Sequence, residues 1–312
     1  MSARCAFLFP GQGSQAVGMG QDFFNNSEVA KQMISNASQR TSINFEELLF
    51  TENDKLAQTE YTQPAILLVS AIAHKLFTDA TGIKPVLALG HSLGEFSALV
   101  AAGVLDAVDA VALVNLRGKL MAQACEGQDV GMLVSLGLDD ATVEAITACQ
   151  REAGKKVWAV NYNAEGQIVI AGIKKDLEEL VDVLKEAKAK RAMLLNMSVA
   201  SHCPLLQSAS APLEAKLKEM LKDTFIAPVI SNVTAKPYST KEEALALLPK
   251  QLVKPVLYKQ SIANIDAEVD CYIEFGQGNV LKGLNKNATS KPHFNVSDMA
   301  SLKATIEAIK EL

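Results

Sequence analysis

Ser92 stands between two glycines in the stretch Gly90-His91-Ser92-Leu93-Gly94. Such a G-x-S-x-G suits covalent chemistry when it joins a strand to a helix, because the tight turn exposes the serine oxygen. Both flanks fit: residues 85–89 form an apolar run of strand length, and a helix-favouring segment follows as far as Gly103. The N-terminus of that helix would place partial positive charge where an oxyanion develops. The pattern predicts Ser92 as the nucleophile of an acyl transfer or a hydrolysis. Its bland alternative is a turn used only for packing.

A serine is a poor nucleophile until a base takes its proton. The histidines are His74, His91, His202 and His293. His74 falls in an apolar helix and reads as packing. His91 adjoins Ser92, but neighbours at a strand end point opposite ways, so it is expected to pack beneath the site. His202 lies in a loop among small residues, where catalytic groups are often displayed. His293 lies near the C-terminus, as in ordinary serine hydrolases. On residue patterns alone both stay open. Arg117 sits among Val111, Leu113, Val114, Leu116 and Leu120, where a charge needs a partner or a wet pocket. Pairing with a core-edge carboxylate and anchoring a substrate carboxylate are equally good readings.

A second glycine loop, Gly11-Gln12-Gly13, matches the dinucleotide fingerprint formally when Ala16 is included. Gly18 and Gly20 interrupt the helix that should follow, and no acid stands near Asn36 to hold a ribose. The loop is better suited to offering backbone N–H groups to an anion.

The elements that must hold these residues alternate between strand and helix. Residues 4–9 read as a first buried strand. Residues 65–77 form a helix apolar nearly all round, with Pro64 expected at its first position. Asp106 can cap a helix over 107–123. From 128 to 197 the order is strand, helix, strand, strand, helix, strand, which forms a ferredoxin-like unit. Helices and strands alternate again to the C-terminus. The expected fold is α/β: a hydrolase-like main domain over 1–127 and 198–312 with a mostly parallel sheet, interrupted by the ferredoxin-like βαββαβ subdomain at 128–197.

The chain has 312 residues, of which 49% are hydrophobic, enough for a large core. Its net charge of −5, without a long basic tract, argues against a nucleic-acid partner. No apolar run is long enough to cross a membrane. Cys5, Cys125, Cys149, Cys203 and Cys271 are odd in number and lack metal-ligand spacing. They read as reduced thiols of a cytoplasmic protein, with no metal site.

Taken together, these motifs closely resemble the acyltransferase family of bacterial malonyl-CoA:acyl-carrier-protein transacylases and of fatty-acid and polyketide synthases. The resemblance rests on FPGQGSQ at 9–15, YTQPA at 61–65, GHSLGE at 90–95, NYNAEGQIVIAG at 161–172, SHC at 201–203 and EFGQGNVL at 274–281. It covers essentially the whole chain. It implies a ping-pong transfer of malonyl from malonyl-CoA to the phosphopantetheine thiol of acyl carrier protein. Ser92 would be the nucleophile and His202 its base, in a dyad without a carboxylate. The N–H groups of Gln12 and Leu93 would form the oxyanion hole, Arg117 would anchor the malonyl carboxylate, and Gln63 would wall the pocket. Gln251 would support His202 through its backbone carbonyl. No cofactor is implied, since coenzyme A is part of the substrate and product. The alternatives are a serine hydrolase or thioesterase, and a transferase preferring methylmalonyl-CoA, to which Val199-Ala200-Ser201-His202 gives some support. Acyl carrier proteins are acidic, so Lys188, Lys190, Arg191, Lys282 and Lys286 are candidates for docking one.

Overall fold

The computed structural model describes residues 3–197 and 199–312. Ser198, where the main domain was expected to resume, lies outside the described residues.

The main body opens with β1 (Cys5–Phe9), buried along its whole length, and three short helices, α1 (Gln21–Asn26), α2 (Glu28–Thr41) and α3 (Phe45–Phe50). Then come α4 (Thr59–Thr81), β2 (Leu87–Gly90), α5 (Gly94–Ala101) and α6 (Ala107–Ala124). Asp106 caps α6 as expected, accepting from the N–H groups of Val108 and Asp109. Next are β3 (Val130–Leu136), α7 (Asp140–Glu152), β4 (Val157–Ala164), β5 (Gln167–Ile173), α8 (Lys174–Glu186) and β6 (Arg191–Leu194). The remainder is α9 (Gln207–Met220), β7 (Val229–Ile230), β8 (Pro237–Tyr238), α10 (Lys241–Gln251), α11 (Tyr258–Ile265), β9 (Cys271–Phe275), α12 (Val280–Asn285), β10 (His293–Val296) and α13 (Met299–Ile309).

Two sheets result. One has the order β10-β9-β1-β2-β7-β8 and is parallel except where β8 pairs with β7. The other has the order β4-β5-β3-β6 with every neighbour antiparallel, as a βαββαβ unit requires. The α/β expectation with a mostly parallel main sheet therefore holds. The antiparallel sheet has its own core, in which Leu133, Ile168 and Ile170 meet Val143 of α7 and Leu177, Leu180 and Leu184 of α8. A parallel bridge between Asn161 and Val256 joins it to the main body.

Pro64 does not start its helix. α4 begins at Thr59, with Pro64 in its second turn. A proline there cannot donate to the carbonyl four residues back, which is that of Glu60. Asn115 of α6 fills the gap: its Nδ2 donates to Glu60 O at 2.8 Å. Two other expectations also shift. The strand expected over 191–197 pairs only as far as Leu194, and the helix expected over 262–267 begins at Tyr258.

No helix among the described residues is long and apolar enough to cross a membrane. All five cysteines are free, although the Sγ atoms of Cys5 and Cys271 lie 3.3 Å apart on neighbouring strands.

Candidate active site

β2 and α5 meet at Ser92, and the turn between them is both strained and tied down. Ser92 has φ 53°, a conformation a residue with a Cβ adopts rarely. Its backbone is held on both sides: its N–H donates to Asn232 Oδ1 at 2.7 Å and its carbonyl accepts from Gln251 Nε2 at 3.0 Å. Asn232 also donates through Nδ2 to Gly90 O at 2.7 Å. The turn rests on the end of β1, where the His91 N–H donates to Phe9 O at 3.0 Å. Any Cβ on Gly94 would lie 2.0 Å from that same oxygen, so only glycine fits.

His202 reaches this turn from a loop 110 residues away, and its Nε2 lies 2.7 Å from Ser92 Oγ. It too has a positive φ, 62°. The other ring nitrogen, Nδ1, is 2.6 Å from the carbonyl oxygen of Gln251. A carbonyl can only accept, so Nδ1 carries the proton and Nε2 offers its lone pair to the serine hydroxyl. Burial first, and then the charge of Arg117, lower the His202 pKa to about 3, although the Gln251 carbonyl opposes this. The resting imidazole is therefore neutral.

Arg117 is 1% exposed. Its Nη1 donates to Gln63 Oε1 at 2.6 Å, and its Nη2 donates to Ser92 Oγ at 3.2 Å and to Gln251 Oε1 at 2.9 Å. Its guanidinium lies 5.2 Å from the Phe96 ring centroid, and Nε has no partner among the described residues. Burial lowers its pKa to about 10, which leaves it cationic at neutral pH. Of the two readings open in the sequence, direct pairing with a core-edge carboxylate is not what the structure shows. Arg117's oxygen partners are two amides and the serine hydroxyl. The neighbouring Gly118 brings α6 within reach of α4, since a Cβ there would fall 2.6 Å from Glu60 Cα.

Gln63 continues the network. Its Nε2 donates to Thr59 Oγ1 at 2.8 Å, and the Thr59 hydroxyl donates to Gln12 Oε1 at 3.0 Å. Gln12 and Leu93 both border the cavity at Ser92. Leu93 stands at the N-terminal edge of α5. The N–H groups of these two residues have no acceptor among the described residues, as oxyanion donors require.

The cavity holds about 230 Å³. Its far wall is Met132, Val134, Asn161, Asn163 and Val169 of the antiparallel sheet, so the site lies between the two sheets. His91 is a correction to the sequence reading. It lines the cavity from the Ser92 turn rather than packing beneath the site, with Nε2 2.7 Å from Asn163 Oδ1 across the cavity wall. His74 packs edge-on against Phe7, Phe9 and Phe275, as expected. His293 opens β10, pairs in register with Tyr272 and lines a different groove together with Lys282 and Lys286. No cluster among the described residues could hold a metal.

Sequence reasoning gave no role to Glu95, Asn232 or Tyr238. Glu95 is 1% exposed and accepts from Gln251 Nε2 at 2.6 Å, the Asn232 N–H at 3.1 Å and the Tyr238 hydroxyl at 3.1 Å. Burial raises its pKa to about 7 against these hydrogen bonds. The available signal was an acid in an otherwise apolar helix, GEFSALVA.

Residues 6–302 match the acyl transferase domain family. The chain is 38% identical to the malonyl CoA-acyl carrier protein transacylase of Bacillus subtilis, over 99% of this chain and 98% of that one. The chain belongs to this acyltransferase family. Among solved structures, it resembles malonyl-CoA:acyl carrier protein transacylase from Helicobacter pylori, with a TM-score of 0.96 and 43% identity over 99% of both chains. It also resembles a malonyl-transacylase solved in complex with a type II PKS acyl-carrier protein, with a TM-score of 0.94 and 36% identity over 98% of this chain and 100% of that one. The acyltransferase expectation drawn from the sequence motifs is thus met along nearly the whole chain.

Proposed function

We propose that this protein transfers malonyl from malonyl-CoA to the phosphopantetheine thiol of acyl carrier protein, supplying fatty-acid elongation through a malonyl-Ser92 ester. The observation that carries this reading is a buried arginine donating to the nucleophile's own oxygen while no carboxylate among the described residues touches it. Such a guanidinium suits an acyl group that ends in a carboxylate, and it selects against acetyl, which would leave it unpaired.

His202 Nε2 takes the proton of Ser92 as Oγ attacks the thioester carbonyl. The carbon–sulfur bond breaks as the tetrahedral intermediate collapses, and His202 returns the proton to the departing coenzyme A thiol. The Gln12 and Leu93 N–H groups hold the oxyanion, each contributing about 3 kcal/mol as such donors do. The carrier's thiol then repeats the sequence on the ester. The malonyl carboxylate, seated on Arg117, offsets the charge that depresses His202, so substrate binding itself makes the base stronger. Gln63 and Gln251 orient the guanidinium, and the Gln251 carbonyl stands where a triad would place its acid.

The division of labour follows the chain. Residues 1–127 and 198–312 supply the catalytic groups, and 128–197 forms an inserted subdomain that closes the acyl pocket. No cofactor is needed beyond the thioester donor and the thiol acceptor. Five free cysteines accord with a cytoplasmic setting.

The test is intact-mass analysis after mixing with malonyl-CoA, then with holo-carrier. The expected result is a malonyl adduct on Ser92 that moves to the carrier. An adduct that water removes faster than the carrier does would identify a hydrolase instead.

A further inference from the structure

A buried guanidinium with no countercharge is costly. For Arg117 the countercharge stands one amide away. Gln251 accepts from Arg117 Nη2 through Oε1 at 2.9 Å and donates through Nε2 to Glu95 Oε2 at 2.6 Å. Only one orientation of this amide works, because the reverse would set NH2 against the cation and carbonyl oxygen against the carboxylate. Glu95 is fixed in turn by the Asn232 N–H and the Tyr238 hydroxyl. Gln251 also serves the reacting groups, accepting from His202 Nδ1 through its backbone carbonyl and donating to Ser92 O from its side chain.

We propose that Glu95 is a positioning residue for the transfer. It is a buried countercharge held one amide away from Arg117, which orients the guanidinium yet leaves it free for a substrate carboxylate. It also clamps Gln251 behind both His202 and the Ser92 turn. A carboxylate in direct contact with Arg117 would compete with the substrate's own; the intervening amide keeps the charge close without that competition. The inference rests on the malonyl reading above for the identity of the substrate carboxylate.

The experiment compares wild type with Glu95→Gln at pH 8, where Glu95 is ionised despite its burial, using malonyl-CoA and acetyl-CoA with holo-carrier and following acyl-enzyme and acyl-carrier by mass. Loss of a charge-assisted bond in this network lowers kcat/KM for malonyl-CoA about 10- to 100-fold. Acetyl transfer falls less, so the malonyl-to-acetyl ratio drops about tenfold. Equal losses for the two donors overturn the proposal, because a merely structural residue would produce them. Should Glu95→Gln fail to fold, the double variant E95Q/Q251E keeps the charge and the backbone carbonyl but moves the carboxylate against Arg117. It is expected to lose malonyl preference, and a preserved preference overturns the proposal. The wild-type arm separates the two readings. No malonyl-enzyme there rejects the malonyl reading and this inference with it, whereas a normal malonyl-enzyme with equal losses in the variant rejects only the role of Glu95.

Discussion

Two histidines, one buried and one half-buried, each have a buried glutamate nearby, and only one of them faces a serine hydroxyl. At the Ser92 turn, His202 is lowered to about 3 and Glu95 raised to about 7. Along β9 and β10, His293 is lowered to about 4 and Glu274 raised to about 7. Burial is the leading cause in all four cases, so perturbed acidity marks both places alike. Hydrogen bonding separates them. His202 has a partner on each ring nitrogen, one a carbonyl and the other a serine hydroxyl. Neither His293 nitrogen has a hydrogen-bond partner among the described residues, and Nε2 is 3.8 Å from Glu274. Glu95 ends a relay that reaches Ser92 Oγ through Gln251 and Arg117, whereas Glu274 accepts the N–H groups of Leu281 and Lys282 and so caps α12. A shifted pKa reports exclusion of water; a role in catalysis needs a directed donor and acceptor as well.

The sharpest way to break this contrast is to remove each histidine. His202→Ala should lower the rate of malonyl-enzyme formation about a thousandfold or more, the scale of a lost general base. His293→Ala should leave that rate within about twofold. Comparable losses in stopped-flow acylation would erase the distinction.

Next in size is Arg117→Ala. It should reduce kcat/KM for malonyl-CoA about 100-fold while sparing acetyl-CoA, because only the former contributes a carboxylate to the vacated site. If both donors suffer equally, Arg117 belongs with the packing residues.

On the other side of the contrast, Glu274→Ala should act on stability. It removes the acceptor for two N–H groups at the start of α12, a loss of about 1–2 kcal/mol in denaturant unfolding, with acylation rate unchanged in the surviving native protein. A fall in rate without a fall in stability would count against a structural role.

The last effect appears only in acid. His293 is neutral when folded down to about pH 4 but protonates near 6.5 when unfolded. Its burial therefore favours the native state fully above 6.5, and that contribution drains away as pH falls toward 4. Glu274 works the other way. Its raised pKa makes the native state the better proton binder between 4.5 and about 7, so stability falls as pH rises through that window. His293→Gln should flatten the acid limb of stability between pH 6.5 and 4, by at most about 3 kcal/mol. An unchanged limb in urea melts at successive pH values would show that His293 does not contribute to it.

Much of this was legible in the chain. The strand-turn-helix around Ser92, the Asp106 cap and the order of elements from 130 to 194 follow from local pattern, because periodicity and capping are local properties. The pairing of Ser92 with His202 does not follow from pattern. Nothing in spacing alone prefers it to His293, and it came through family resemblance. Nor could pattern decide what Arg117 faces, since its partners Gln63 and Gln251 lie 54 and 134 residues away. Glu95 was overlooked for a related reason: its meaning depends on Asn232, Tyr238 and Gln251, which converge only after folding.

Pro64 carries one more consequence. A helix ordinarily spends all its interior carbonyls on itself, and its rotation about its own axis relative to a neighbour is then set by side-chain packing alone. Here the missing N–H leaves the Glu60 carbonyl of α4 open, and Asn115 of α6 occupies it. The two helices are thereby indexed to one another, like gears sharing a key. Gln63 lies one residue before that proline, and Arg117 two residues beyond that asparagine. The phase angle that points them at each other is written into the backbone as a defect.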